Sequence, residues 1–379
     1  MNKKIIIVLS SLLVAFFSAY AQPQISCPAV NAGNDTTIAN SVNGCVLLTA
    51  VPVSGYVPTT YTVGAIPYNP YPFNAGASII INQDDVWGPV TSLPFDFCFY
   101  GNNYTQAQPG SNGMISFLIN GVGSYCPWPI NAPIPDPGAP LNCIMGPWHD
   151  INPSFGGNVY AQMYGTAPCR VFVVSWFNNA MFSCTGLLTT QQIAIYETTN
   201  IIEVYIQNKP LCATWNAGAS ILGLHNATGT AAVVVPGRNY PTQWSAVNEG
   251  WRWTPAGISN HTVTWYQAGN PVPISTTDTV TVCPVGCNTE FIAVATYTNC
   301  NGSTVTVNDT VVLAASNPNA LTNPTVTPVG CNGASTGIIQ LNPTGGVAPY
   351  NYNWFGAGGN TNLVNGLSAG IRATRIRKT

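Results

Sequence analysis

The chain has 379 residues, of which 46% are hydrophobic and only 6% charged, against about 25% charged in an ordinary globular domain. That much apolar content excludes a disordered chain, which needs low hydrophobicity and high net charge. Between residues 22 and 370 the basic side chains are Arg170, Lys209, Arg238 and Arg252 against all 12 acidic ones. So few cations cannot neutralise a run of phosphates, which excludes nucleic acid as a partner.

Residues 1–21 read as a signal peptide. Lys3 and Lys4 precede an apolar run from Ile5 to Phe17, and Ala19-Tyr20-Ala21 fits the cleavage site. The run is short for a membrane span and no later stretch reaches span length, so no transmembrane segment is expected in the mature chain. All 12 cysteines follow this segment, and export places them in an oxidising compartment where disulfides form. Cys27–Cys45, Cys184–Cys212 and Cys287–Cys300 are the expected pairs, because each closes a short strand–turn–strand segment. Cys283 and Cys287 lack a second pair at zinc spacing, so no metal cluster is read there.

Residues 22–255 read as one large β-sandwich. Val46-Leu47-Leu48 is a strand core, and the tyrosine- and proline-rich run 56–73 is extended rather than helical. The stretch 93–117 organises the unit: Phe95, Phe97 and Phe99 alternate with Asp96, Cys98 and Tyr100, the period of a strand with one buried face. Asn112-Gly113 predicts a tight turn before Met114, Ile115 and Phe117. Residues 126–143, with six prolines, are expected to wrap the sandwich, held at each end by a cysteine. Arg170 to Trp176 is nearly continuous apolar sequence and predicts a central strand. Glu197 to Asn200 and Asn226 to Gly229 predict hairpin turns, and Trp251 to Pro255 a closing strand.

A second unit, 256–317, shows alternation at Val263 and Trp265 and at Val280 and Val282, and its spacing fits an immunoglobulin-like sandwich. A third, 318–379, holds short strands between glycine turns. No mature segment carries a long helical apolar stripe. The expected fold is therefore all-β: a large β-sandwich, an immunoglobulin-like β-sandwich and an incomplete small β repeat domain.

The words GCNGASTGIIQLNPTGGVAPYNYNW (330–354) and NGLSAG (365–370) resemble the SprB-type repeat of large Bacteroidota surface proteins. That repeat would continue with a tyrosine-bearing strand, an Asp turn and a second cysteine, where this chain has Arg372 to Thr379. The expectation is an incomplete repeat of a truncated or frame-shifted longer protein, with no partner for Cys331. LPFDFCFYGNNY, GSNGMISF, PWHDI, IAIYETTNIIEVYI and WRWTP are similar to the N-terminal part of multidomain proteins of the same group and resemble the NIDO domain of nidogen-like adhesion proteins. The resemblance implies an exported surface or secreted protein with an adhesive or structural role, linked to attachment or gliding. It also implies secretion machinery of type IX as a partner of the parent protein, and an address outside the outer membrane.

The residues that could carry chemistry are few. His149-Asp150 with Asp84-Asp85 could meet as a metal site, since hard cations need several oxygen ligands. The favoured reading is that these carboxylates accept hydrogen bonds from turn backbones. Of the other histidines, His225 and His261 suggest no constellation. Glu197 and Glu203 share one hairpin but are expected to face water on a strand edge rather than act as a glycosidase pair. Gly333 to Gly337 spells Gly-x-Ser-x-Gly without the helix a nucleophile elbow needs. Tyr56, Tyr61, Tyr68, Tyr71, Phe73, Trp128 and Trp148 offer flat apolar faces to a glycan or protein surface, unless they form a minor core under long loops. The protein is expected not to be an enzyme. No catalytic residue, metal centre or cofactor is assigned, and the binding residues stay unassigned. A secreted carbohydrate-binding module of a larger enzyme is the second functional expectation.

Overall fold

Eleven residues, Val171–Met181, form a central strand, and the reason is their composition. A near-continuous apolar run suits a strand whose neighbours and both faces are covered, and its first six residues are all buried. It pairs with Asn158–Tyr164 on one side and Cys184–Tyr196 on the other. The computed structural model describes residues 27–38, 45–53, 55–80, 82–283, 288–315, 324–331, 333–343, 350–354, 360–369 and 374–377. The signal segment 1–21 lies outside these residues. The architecture is all-β; among the described residues only two three-residue 3₁₀ turns interrupt the strands.

The first sandwich packs two antiparallel sheets. One orders the strands Thr60–Ile66, Ala246–Ala256, Ile202–Lys209, Cys184–Tyr196, Val171–Met181, Asn158–Tyr164 and Ala77–Ile80. The other orders Ala232–Val234, Ile221–His225, Cys143–Trp148, Met114–Ser116, Asn102–Gly110 and Thr91–Phe99. Phe95, Phe97 and Phe99 point inward, as their alternation predicts, and meet Phe172, Trp176, Ile193, Val204 and Trp253 in one core. The outer face of the larger sheet is covered by the tyrosine–proline run. Tyr71 packs there with Val171, Val173, Ala194 and Tyr196, and its ring stacks on Tyr164 at 4.6 Å.

Asn112-Gly113 forms the predicted turn, but inside the protein. Asn112 is fully buried; its amide donates to Asp85 Oδ1 and the Cys126 carbonyl, and its oxygen accepts from the Ile151 N–H. Gly113 has φ +79, and a Cβ there would stand 2.0 Å from the Pro147 carbonyl oxygen. Gly113→Ala is therefore expected to cost about 2–4 kcal/mol, combining left-handed backbone strain with a backbone clash. A denaturant midpoint equal to that of the unsubstituted protein would refute this.

The second sandwich departs from the expected boundaries. Its four-stranded sheet orders His261–Gln267, Thr289–Thr298, Thr304–Ala315 and Thr36–Ile38. The last pair is parallel, with Thr36 opposite Leu313. Thr279–Val282 pairs with Val46–Thr49. Val30, Ala32, Leu48 and Ala50 thus share a core with Val263, Trp265, Phe291 and Tyr297. The strands Val30–Asn31, Thr36–Ile38, Val46–Thr49 and Val51–Pro52 complete this unit rather than the large sandwich expected over 22–255. The apolar N-terminal strands need a covered face, and the open side of the 261–315 sheet provides it. The third unit pairs Thr325–Thr327, Gly337–Gln340 and Leu363–Leu367 in one sheet and Asn351–Trp354 with Thr374–Arg377 in another. Leu341, Trp354, Val364 and Leu367 form its small core.

Of the expected disulfides, Cys184–Cys212 forms. Cys27 instead bonds Cys169, Cys45 bonds Cys283 and Cys98 bonds Cys300; Cys287 lies outside the described residues. The sequence expectation failed because it paired neighbours along the chain, whereas Cys45 and Cys283 flank strands that pair across 238 residues. Cys27–Cys169 and Cys98–Cys300 staple the two sandwiches together. Cys126 and Cys143, expected to anchor the proline-rich loop, are buried free thiols. The loop is held by other bonds, from Trp148 Nε1 to the Pro127 carbonyl and from the Asn239 amide to the Ile134 carbonyl.

Candidate functional site

Three carboxylates meet where two loops cross at one end of the first sandwich. Asp84-Asp85 precede Val86 and Trp87, which bridge to Tyr125 and Gly110. Asp150 follows the strand Cys143–Trp148 and is fixed by Ile151, whose strand pairs with Met181. One oxygen from each of Asp84, Asp85 and Asp150 lies within 4.8 Å of the others.

Each carboxylate is held, mostly by side chains rather than by turn backbone. Asn152 Nδ2 donates to Asp84 Oδ2 at 2.6 Å, Asn112 Nδ2 to Asp85 Oδ1 at 2.9 Å, and Trp215 Nε1 to Asp150 Oδ2 at 2.7 Å. Burial pushes Asp84 up to about 6, aided by the charge of Asp85. Burial likewise pushes Asp150 up to about 7, and the Trp215 hydrogen bond opposes it. Asp85 is raised by burial against hydrogen bonds from Asn112 and Trp128.

No cation answers this charge among the described residues. Arg170 pairs with Glu197, Arg238 with Glu249 and Arg252 with Glu203. Lys209 is buried and donates to the Trp244 carbonyl at 2.8 Å, with its ammonium 4.4 Å from the indole centroid. His149 does not join the cluster. It is 1% exposed, its Nδ1 lies 3.2 Å from the Pro147 carbonyl, and burial takes it down to about 3.

Aromatic rings border the carboxylates. Trp128 and Trp215 stand 5.4 Å apart, and Phe182 packs on Trp215 at 4.7 Å. Tyr125, Leu118, Ile119 and Val122 on the adjoining loop are exposed. Of the other aromatic candidates, Tyr61, Tyr71, Phe73 and Trp148 are buried core. Tyr68 packs edge-on against Tyr205, and Tyr56 is exposed. The sequence pattern missed Trp215 and Asn112 because neither sits near an acidic residue along the chain.

The remaining candidates are engaged elsewhere. Glu197 and Glu203 are buried, contrary to the expectation that they face water. Each meets an arginine across its sheet: Glu197 accepts from the Arg170 backbone and guanidinium, and Glu203 from Arg252 Nε at 2.7 Å. The Gly-x-Ser-x-Gly word leads into the strand Gly337–Gln340, with no helix beside it among the described residues. A separate cleft of 460 Å³ opens between the two sandwiches, lined by Val57, Pro58, Asn200, Asn260, His261 and Thr298 among others. Its lining is mostly neutral amides, hydroxyls and apolar groups.

Two family matches cover most of this architecture. A SprB repeat matches residues 323–359, the third unit. A comparison with curated proteins returned no match. The family described as NIDO related matches residues 60–267, from the strand Thr60–Ile66 of the large sandwich through the strand His261–Gln267 of the second, which is more than half of the chain. The chain belongs to the NIDO-related family.

Proposed function

We propose that this is an exported cell-surface or secreted protein whose role is adhesive or structural and not catalytic, serving attachment or gliding of a Bacteroidota-type cell. The observation that carries the proposal is the SprB repeat at 323–359, a module of surface proteins, following two sandwiches cross-linked by disulfides. Disulfides of this kind persist in oxidising, extracytoplasmic space. No helix among the described residues is long and apolar enough to cross a membrane. The non-catalytic reading is supported by the carboxylates of the best hairpin pair, Glu197 and Glu203, each neutralised by its own arginine. Type IX machinery is the export route that fits the repeat.

Protease treatment of intact producing cells tests the address, and deletion of the gene tests the role. Removal of the chain by external protease, with attachment or gliding several-fold weaker in the deletion strain, is the expected result. A protected pool and unchanged attachment would overturn it. The second reading, a carbohydrate-binding module, draws on the partly exposed indoles of Trp128 and Trp215. Saturable binding to one polysaccharide on a glycan array would favour it.

A further inference from the structure

We infer that Asp84, Asp85 and Asp150 form a binding site for a single calcium ion. The inference does not depend on the adhesive role. Three acidic groups alone would not establish a site, since such clusters are common on surfaces. The decisive observation is that this one is partly buried and incompletely bonded. Asp150 is 6% exposed, and its Oδ1 is buried without any hydrogen-bond partner. Asp84 Oδ1 is likewise buried and unpartnered. A buried carboxylate oxygen without a donor costs several kcal/mol unless a charge or donor answers it.

The arrangement resembles a coordination sphere. On Asp84 and Asp150 the second oxygen is held by Asn152 and Trp215 respectively, which leaves Oδ1 free. Fixed outer partners of this kind orient metal ligands and hold them ready. Oxygens that lie within 4.8 Å of one another can all reach one ion at the roughly 2.3–2.6 Å of calcium coordination. An all-oxygen donor set without thiolate or imidazole suits a hard cation rather than zinc or copper. His149, the nearest nitrogen ligand in sequence, lies outside the cluster. Calcium takes about six to eight oxygens, so water completes the shell. Every arginine and lysine from residue 22 to 370 is engaged elsewhere, so none of these four cations substitutes for the ion.

The test uses the full chain after chelator treatment. Calcium is titrated in the micromolar to millimolar range, where extracellular calcium modules bind, with calorimetry and thermal melting as readouts. Terbium luminescence provides a local probe, because Trp215 bonds directly to Asp150 and can sensitise an ion held there. The expected result is one ion per chain, a calcium-dependent rise in melting temperature, and sensitised terbium emission that calcium displaces. Asp84→Asn and Asp150→Asn should each weaken binding at least tenfold. In chelator both variants should melt no lower than the unsubstituted protein, since they remove a repelling charge without changing shape. No calcium-dependent shift in the unsubstituted chain would overturn the inference. So would binding that survives in the double variant with its near-ultraviolet circular dichroism intact.

Discussion

Glu203→Ala is expected to destabilise the protein by about 3–5 kcal/mol, the cost of leaving a buried charge uncompensated. Glu203 is 2% exposed and occupies the sheet position directly opposite Arg252. Its Oε1 accepts from Arg252 Nε and Nη2, and its Oε2 accepts from Tyr205 OH at 2.8 Å and from Tyr196 OH. Truncation would strand one guanidinium and two phenols under the tyrosine–proline run. Glu203→Gln keeps the acceptor oxygen and should lose less. A double variant, Glu203→Leu with Arg252→Met, should recover much of the loss, because an apolar pair of similar size replaces an ion pair with little net cost. Equilibrium unfolding in guanidinium measures all three. A loss below about 1 kcal/mol for Glu203→Ala would mean that water reaches the pair, contrary to the packing described here.

Lys209 is expected to contribute a rise of about 2 kcal/mol in stability between pH 6 and pH 8.5. Burial, with the nearby charge of Arg238 as a second contribution, lowers this lysine from 10.5 to about 7. The unfolded chain keeps the proton up to 10.5 while the folded chain releases it near 7. In that window the unfolded state binds more protons, so rising pH favours the folded state, by up to about 1.4 kcal/mol per unit. Other groups overlap the interval: His149, lowered by burial from 6.5 to about 3, adds to the rise below about pH 7. Asp84 and Asp150, raised by burial, act in the opposite sense and lose stability as pH rises through about 6 and about 7, which offsets much of the rise below pH 8. The thiols of Cys126 and Cys143, also raised by burial, oppose the trend only near and above pH 9. Lys209→Met should therefore lower the slope of stability against pH between 7 and 8.5, whatever it does to absolute stability by removing the contact with Trp244. Parallel curves for the two proteins would refute the assignment.

The strands were legible because their cause is local. Phe95, Phe97 and Phe99 alternate, Arg170 to Trp176 is nearly continuously apolar, and the turns at Asn112-Gly113 and Glu197 to Asn200 carry residues that accept positive φ; all of these elements are present. The repeat words near 330–354 matched as well, since a repeat is a pattern along the chain.

What the sequence did not show were partnerships across distance. A period of two states which face of Val46–Thr49 is buried, but not that Thr279–Val282 lies beside it. Cysteine counts cannot choose among pairings, and three of the four observed bridges span 142, 238 and 202 residues. Glu203 reads as a solvent-facing strand residue until Arg252 is placed across from it on the next strand. Asp84, Asp85 and Asp150 read as turn residues because turn chemistry is local, whereas their convergence depends on two loops crossing at the end of a sandwich. Local chemistry along the chain thus determined the elements and their buried faces. The free energy of covering those faces, which depends on every neighbour at once, decided which residues met to form the acidic site.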